Sequence, residues 1–270
     1  MSQTYPSKKS KRSKARNDDY ENKHDDNVVN FRDAEARRNG PDKKHWSVHD
    51  MQPFRAESEN QALAIEAYAN GDDLGLYGAA GAGKTLLAAY LGCTSMTDPN
   101  DDIDGILVVR SAVPGREIGH LKGTEEEKLA WYEEPYESAF GFIFGAMSSY
   151  RHLKAAGKVQ FTSTSAKRGV NWQNKVVIIE EAQNMTFHEI DTLMTRRHDN
   201  CRVIITGDTR QPDLGAREIS GLPILQEVSP DLLGMSMISF TWADCRRGKR
   251  VMSWLKATAN INPQTGQRNG

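Results

Sequence analysis

Eight residues, Gly78-Ala79-Ala80-Gly81-Ala82-Gly83-Lys84-Thr85, constrain this chain more than any other stretch. The spacing G-x-x-x-x-G-K-[ST] works in one setting only, at the end of a strand and the start of a helix. Glycines let successive backbone N–H groups turn inward onto phosphate oxygens. The helix that follows adds the positive end of its dipole. Both flanks fit: Leu74-Gly75-Leu76-Tyr77 reads as a short strand, and Lys84 to about Cys93 as a helix. The backbone from Gly78 through Gly83, with Ala79, Ala80, Gly81 and Ala82 between, is thus the expected cradle for ATP phosphates. Lys84 reaches the β- and γ-phosphates, and Thr85 offers its hydroxyl to Mg²⁺.

The rest of the chain supplies the sheet that such a loop needs. Apolar runs recur at Ile106–Val109, Val159–Phe161, Val176–Ile179, Val203–Ile205 and Met235–Phe240. They are short, continuous and rich in Val and Ile, the pattern of strands buried on both faces of a parallel sheet. Helical stretches lie between them. Ser58-x-x-Gln61 reads as a capping box opening a helix that runs to Asn70 and stops at Gly71. Thr124 to Glu127, with acids in its first turn, and Thr186-x-x-Glu189 read as two more helix starts. Tyr136, Phe140, Ile143 or Phe144, and Met147 mark one core-facing stripe, and Phe187, Ile190 and Met194 a second. Val251, Trp254 and Leu255 mark a last helix, also read as core. Alternating strands and helices predict an α/β fold, a doubly wound and mostly parallel sheet in a single domain over residues 58–257. Residues 1–57 read as a basic, disordered tail, because Ser2 to Asn27 hold almost nothing apolar. Residues 258–270 read as a C-terminal tail.

Composition narrows the function classes. Three cysteines in 270 residues make no disulfide framework, and no apolar run is long enough to span a membrane. The cysteine usage fits a reducing cytoplasm. The net charge of −1 conceals an asymmetry. Residues 1–50 carry 12 Lys/Arg against 9 Asp/Glu, and residues 246–270 carry 6 Lys/Arg and no acid, so the body between them is acidic. Any nucleic acid is then held by a local groove or by the ends, not by the whole surface.

The Val176 run ends in two carboxylates, Glu180 and Glu181, about 95 residues after the phosphate loop. Parallel sheets present ligand groups at the carboxyl ends of their strands. The first acid is therefore placed to bind Mg²⁺, directly or through water, and the second to polarise an attacking water. Strand patterns lie between loop and acids, which typifies NTPases with an added catalytic glutamate rather than nucleoside kinases. The Val203 run leads into Thr206-Gly207-Asp208-Thr209-Arg210-Gln211. Gln211 there is placed either to sense the γ-phosphate or orient water, or simply to cap a turn.

These stretches together resemble the PhoH-like family of ATPases, which is similar to the first RecA-like domain of superfamily 1 helicases. The resemblance rests on GAAGAGKT at 78, VVRSAVPGREIGHLKG at 108, STSAKRGVNWQNKVVIIEEAQNMTFHEI at 163, VIITGDTRQPDL at 203, SGL at 220 and DCRRGKRV at 244. It covers about 200 residues in order. The wording around TRQ and NMTFHEI is most similar to variants encoded by bacteriophages. One departure concerns the metal: the family usually has Asp where this chain has Glu180, one methylene longer.

The resemblance implies a RecA-like P-loop NTPase that binds ATP with Mg²⁺ and hydrolyses it. It implies coupling to single-stranded nucleic acid, RNA in particular, and assembly into homo-oligomers such as hexameric rings. It places Gln61 where these proteins read adenine, although Gln61 also belongs to the Ser58 capping box. It places Arg247 as a γ-phosphate contact. Arg110, Arg116, Lys122, Lys167 and Arg168 fall in loops after strands, available to a nucleic-acid backbone or, for Arg116 and Arg168, to a neighbouring subunit's ATP. Two other classes share the phosphate loop: a small-molecule kinase, and a nucleotide-dependent binding module with little hydrolysis.

Overall fold

A computed structural model describes residues 46–111, 125–164, 172–208, 214, 218–259 and 261. Each apolar run read from the sequence lies in a strand: β1 (Asp73–Gly78), β2 (Gly105–Arg110), β3 (Val159–Ser163), β4 (Lys175–Glu180), β5 (Arg202–Gly207) and β6 (Met235–Phe240). They form one sheet in the order β3-β2-β4-β5-β1-β6, and every pairing between them is parallel.

Alternate residues of these strands feed two separate cores. Ile106 and Val108, with Val176 and Ile178, face Leu87, Phe140 and Tyr150. Leu107 and Val109, with Val177 and Ile179, face Ile190, Leu193 and Leu222. Both faces are apolar, which is why the strands read as continuous rather than alternating runs. The first face is covered by α1 (Glu59–Ala69), α2 (Lys84–Thr97), α3 (Glu125–Phe144) and α4 (Ser149–Ala155), the second by α5 (Phe187–Met194) and α6 (Leu222–Val228). This is the doubly wound α/β fold expected from the sequence. A last helix, α7 (Lys249–Ala257), buries none of its residues.

The strand order positions the site. β5 lies between the strand that ends in the glycine loop, β1, and the strand that ends in the two acids, β4. The carboxyl ends of β1, β5 and β4 therefore open side by side. Such a crevice is where ligands bind in open α/β sheets.

Several expectations need correction. Residues 46–57 do not continue the tail: Trp46 stacks edge-on against Phe144 at 4.5 Å, and Phe54 lies 5.0 Å from Tyr90. The Gln52 N–H also donates to the Ile143 carbonyl at 2.6 Å. Three apolar residues, Trp46, Met51 and Phe54, are enough to hold this polar stretch on the first core. Residues 1–45 lie outside the described residues, as do Thr124 and nearly all of the expected C-terminal tail.

The stripe on α3 buries Tyr136, Phe140, Ile143 and Phe144, but the helix stops at Phe144, so Met147 sits in the following turn. On α5, Ile190 and Leu193 face the core while Phe187 is 44 % exposed. The stripe on α7 is not core at all, with Val251 45 % and Trp254 69 % exposed.

The capping box at Thr186 closes both ways, the Glu189 N–H donating to Thr186 Oγ1 and the Thr186 N–H to Glu189 Oε2. The one at Ser58 closes only once. The Gln61 N–H donates to Ser58 Oγ, but the Gln61 side chain is taken elsewhere.

Candidate nucleotide site

The loop from Gly78 to Gly83 is shaped by left-handed glycines at 78, 81 and 83. At Gly78 the need is also steric, because a Cβ there would lie 2.1 Å from the Phe240 carbonyl oxygen of the neighbouring β6. Successive loop carbonyls are each taken by a donor. Lys84 Nζ donates to the carbonyls of Gly78 and Ala79, both at 2.9 Å. The Cys245 thiol donates to the Ala80 carbonyl at 3.3 Å, and the Arg246 N–H to that of Gly81 at 3.2 Å. Gln61 Nε2 donates to Ala82 at 3.2 Å. The Ala79 N–H is itself given to the Phe240 carbonyl at 2.9 Å, so the N–H groups offered to an anion lie further along the loop, toward its turn into α2.

Opposite the loop, Glu180 and Glu181 end β4 in different surroundings. Glu180 is 5 % exposed, and three hydroxyls donate to its carboxylate. Thr85 Oγ1 reaches Oε1 at 2.8 Å, while Tyr136 and Thr206 both reach Oε2 at 2.7 Å. Glu181 turns out of the strand in a left-handed conformation, φ 56° and ψ 46°. Such backbone strain in a non-glycine residue is held only by its surroundings. Here Gln183 holds it: its Nε2 donates to Glu181 Oε2, and its Oε1 accepts from the Asp208 N–H at 2.9 Å. Burial, and then the neighbouring Glu180, lift the Glu181 carboxyl above the usual carboxylate range, against the opposing pull of Gln183, Arg110 and Lys84.

Loop and acids enclose one cavity of about 400 Å³. Its wall includes Gly81, Lys84, Thr85, Glu180, Glu181 and Arg247. Arg247 lies across the loop, its Cγ within 2.7 Å of where a Gly81 Cβ would sit. The structure thus brings Lys84, Thr85, both acids and Arg247 together. It puts Gln61 behind the loop, 4 % exposed, with its Oε1 on the Glu57 N–H at 2.8 Å and its Nε2 on Ala82. Gln61 therefore supports the loop backbone in this structure and does not line the cavity. Arg110 ends β2, stacked over the Tyr132 ring at 4.0 Å. Gln211, Arg116, Lys122, Lys167 and Arg168 lie outside the described residues.

Four members of this arrangement were not singled out as site residues from the sequence: Tyr136, Gln183, Thr206 and Cys245. Tyr136 reads as one step of an apolar stripe, and Thr206 as the first residue after the Val203 run. Gln183 carried the best signal, standing two residues after the acids.

The parallel sheet, the glycine loop opening α2 and the paired acids across β5 define a P-loop NTPase-type nucleotide-binding protein. The family model for PhoH-like protein matches residues 53–259, and this chain belongs to that family. It is 30 % identical over 214 residues to a PhoH-like protein of Synechocystis, covering 77 % of this chain and 64 % of that one. It is 30 % identical over 210 residues to protein PhoH of Escherichia coli, covering 77 % and 59 %. The chain thus spans less than two thirds of the length of these relatives. Among solved structures, it is similar to the large terminase of a thermophilic bacteriophage, with a TM-score of 0.49 and 12 % identity over 80 % of this chain and 52 % of that one. It is also similar to Pif1 helicase of Candida albicans, with a TM-score of 0.41 and 16 % identity over 77 % and 44 %. Among the described residues no helix is long and apolar enough to cross a membrane.

Proposed function

We propose that this chain binds ATP with Mg²⁺ at the β1–β5–β4 crevice and hydrolyses it, coupling the cycle to single-stranded nucleic acid, RNA in the first instance. The observation that carries this reading is the convergence of Lys84, Thr85, Glu180 and Glu181 on one cavity. Lys84, already inside the loop, supplies positive charge to the β- and γ-phosphates. Glu181 is the proposed base. Its strained backbone aims it off the strand, and its raised carboxyl pKa favours proton acceptance from water. Arg247, across the loop, is the proposed γ-phosphate contact.

The donor set suits Mg²⁺, since Thr85 and Glu180 offer only hard oxygens, 2.8 Å apart. When bound, the ion neutralises phosphate charge. Thr85 would hold it directly and Glu180 would accept from its water shell.

One such domain leaves a face of the nucleotide open. An arginine delivered across an interface often adds roughly 10³-fold or more to phosphoryl transfer. We therefore place the active form in a homo-oligomer, a hexameric ring among the candidates, closed by repetition of one heterologous contact.

The test is steady-state phosphate release with and without RNA, across a dilution series. The expected result is Mg²⁺-dependent release that rises with RNA and with protein concentration. Phosphate transfer to a small acceptor instead of water, or nucleotide binding without turnover, would replace this reading.

A further inference from the structure

The hydroxyls around Glu180 carry the inference beyond that reading, on which it rests. A carboxylate has about four in-plane acceptor sites, two per oxygen. At Glu180 both sites of Oε2 are taken, by Tyr136 and Thr206, and one site of Oε1 by Thr85. What remains is one acceptor direction, on the oxygen that touches Thr85, in a residue that lines the cavity.

The three donors come from three elements: Thr85 from α2, Tyr136 from α3 and Thr206 from β5. Each is fixed independently of the others. Tyr136 is 1 % exposed, with its ring edge-on to Phe161 at 5.8 Å, and Thr206 is 2 % exposed within its strand. A glutamate has one more rotatable bond than an aspartate, and two immobile donors on one oxygen remove that freedom. An aspartate at the same backbone position would withdraw the carboxylate by about one C–C bond, roughly 1.5 Å, and could not keep all three contacts.

We propose that Tyr136 and Thr206 are positioning residues for Glu180: by occupying Oε2 they present Oε1 alone, beside Thr85, to Mg²⁺ and its waters. Tyr136 stands one turn after Tyr132, whose ring carries Arg110, and Arg110 is the register partner of Glu180 across β2 and β4. One helix, α3, therefore grips the charged ends of two neighbouring strands.

The experiment is equilibrium binding of a fluorescent ADP analogue to the full chain across a Mg²⁺ titration, with a melting temperature for every variant. Tyr136→Phe and Thr206→Val should need roughly tenfold more Mg²⁺ for half its effect, the scale of losing one hydrogen bond to a charged group. Their metal-free affinity should stay within about twofold of the parent protein. Thr206→Ser keeps the hydroxyl and should behave as the parent. Glu180→Asp should show the same Mg²⁺ shift, and adding Tyr136→Phe to it should shift the midpoint no further.

An unchanged Mg²⁺ midpoint in Tyr136→Phe and Thr206→Val overturns the proposal, whatever happens to melting, because the hydroxyls would then serve stability alone. A loss of binding at every Mg²⁺ concentration in a folded variant overturns it too. Should Tyr136→Phe not fold, the Thr206 pair decides alone. A parent protein whose nucleotide binding ignores Mg²⁺ would instead remove the underlying reading of the site.

Discussion

The cavity rim and helix α7 are separated by a single residue, Gly248, and are built on opposite terms. On the rim, the two acids and the loop carbonyls are answered from within the chain: Glu180 by three hydroxyls, Glu181 by Gln183, the carbonyls by Lys84, Cys245, Arg246 and Gln61. On α7 no residue is buried. Val251 and Trp254 are exposed, and Lys249, Arg250 and Lys256 stand in a stretch, 246–270, that holds no acid. A rim answered in this way is built around a small ligand. An apolar and basic helix with no buried residue is suited to an external surface, and exposed aromatic rings among cations are what single-stranded nucleic acid stacks on.

The contrast breaks most sharply at Lys84. Lys84→Ala should abolish phosphate release while leaving nucleic-acid binding intact. Turnover at the parent rate would end the assignment of the loop.

Glu181→Gln comes next, expected to bind nucleotide with Mg²⁺ yet release phosphate at least about 100-fold more slowly. The same change should raise the melting temperature at pH 7 without nucleotide or metal. A carboxyl whose pKa is raised on folding opposes the folded state once pH exceeds its unfolded value, and the opposition grows up to the folded value. The gain should therefore vanish below about pH 4, where the carboxyl is protonated in both states. Equal melting of the two proteins at pH 7 would show that Glu181 carries no such burden.

A smaller effect is expected on α7. Trp254→Ala, or neutralising Lys249, Arg250 and Lys256 together, should weaken RNA binding about fivefold or more. The charge variant should also flatten its salt dependence. Basal phosphate release should be unchanged. Unaltered affinity and salt slope, with a shift in oligomer size instead, would reassign the helix to subunit contact.

The smallest effect is on stability. Surface substitutions usually stay within about 0.5 kcal/mol, so Trp254→Ala should barely move the melting temperature. A fall of several degrees would mean that the helix face is covered after all.

How much of this could be read beforehand follows from what periodicity encodes. The six strands were legible because burial on both faces forces continuous Val and Ile runs, as at Val176–Ile179. The loop and both acids were legible because their residue types and spacing are dictated by phosphate chemistry. Faces without a visible partner were not. Phe187 and Trp254 keep helical spacing with apolar neighbours, and spacing says nothing about what lies opposite. Tyr136 marks a limit of another kind, since its ring belongs to the core as its spacing implies while its hydroxyl reaches a carboxylate 44 residues away. Gln61 shows a third limit: its place in the capping pattern was right, but its side chain is claimed by a loop brought near only by folding.

The tied-back carbonyls of residues 78–82 bear on recognition speed and selectivity. Fixing a loop backbone costs about 1–2 kcal/mol per residue in lost freedom, and here that ordering accompanies folding rather than ligand arrival. A ligand meeting a preformed cradle sacrifices little conformational entropy, so association should proceed without a slow rearrangement of the loop. Because donors from both α1 and the segment after β6 sustain the cradle, damage at either Gln61 or Cys245–Arg246 should surface first as slower nucleotide association.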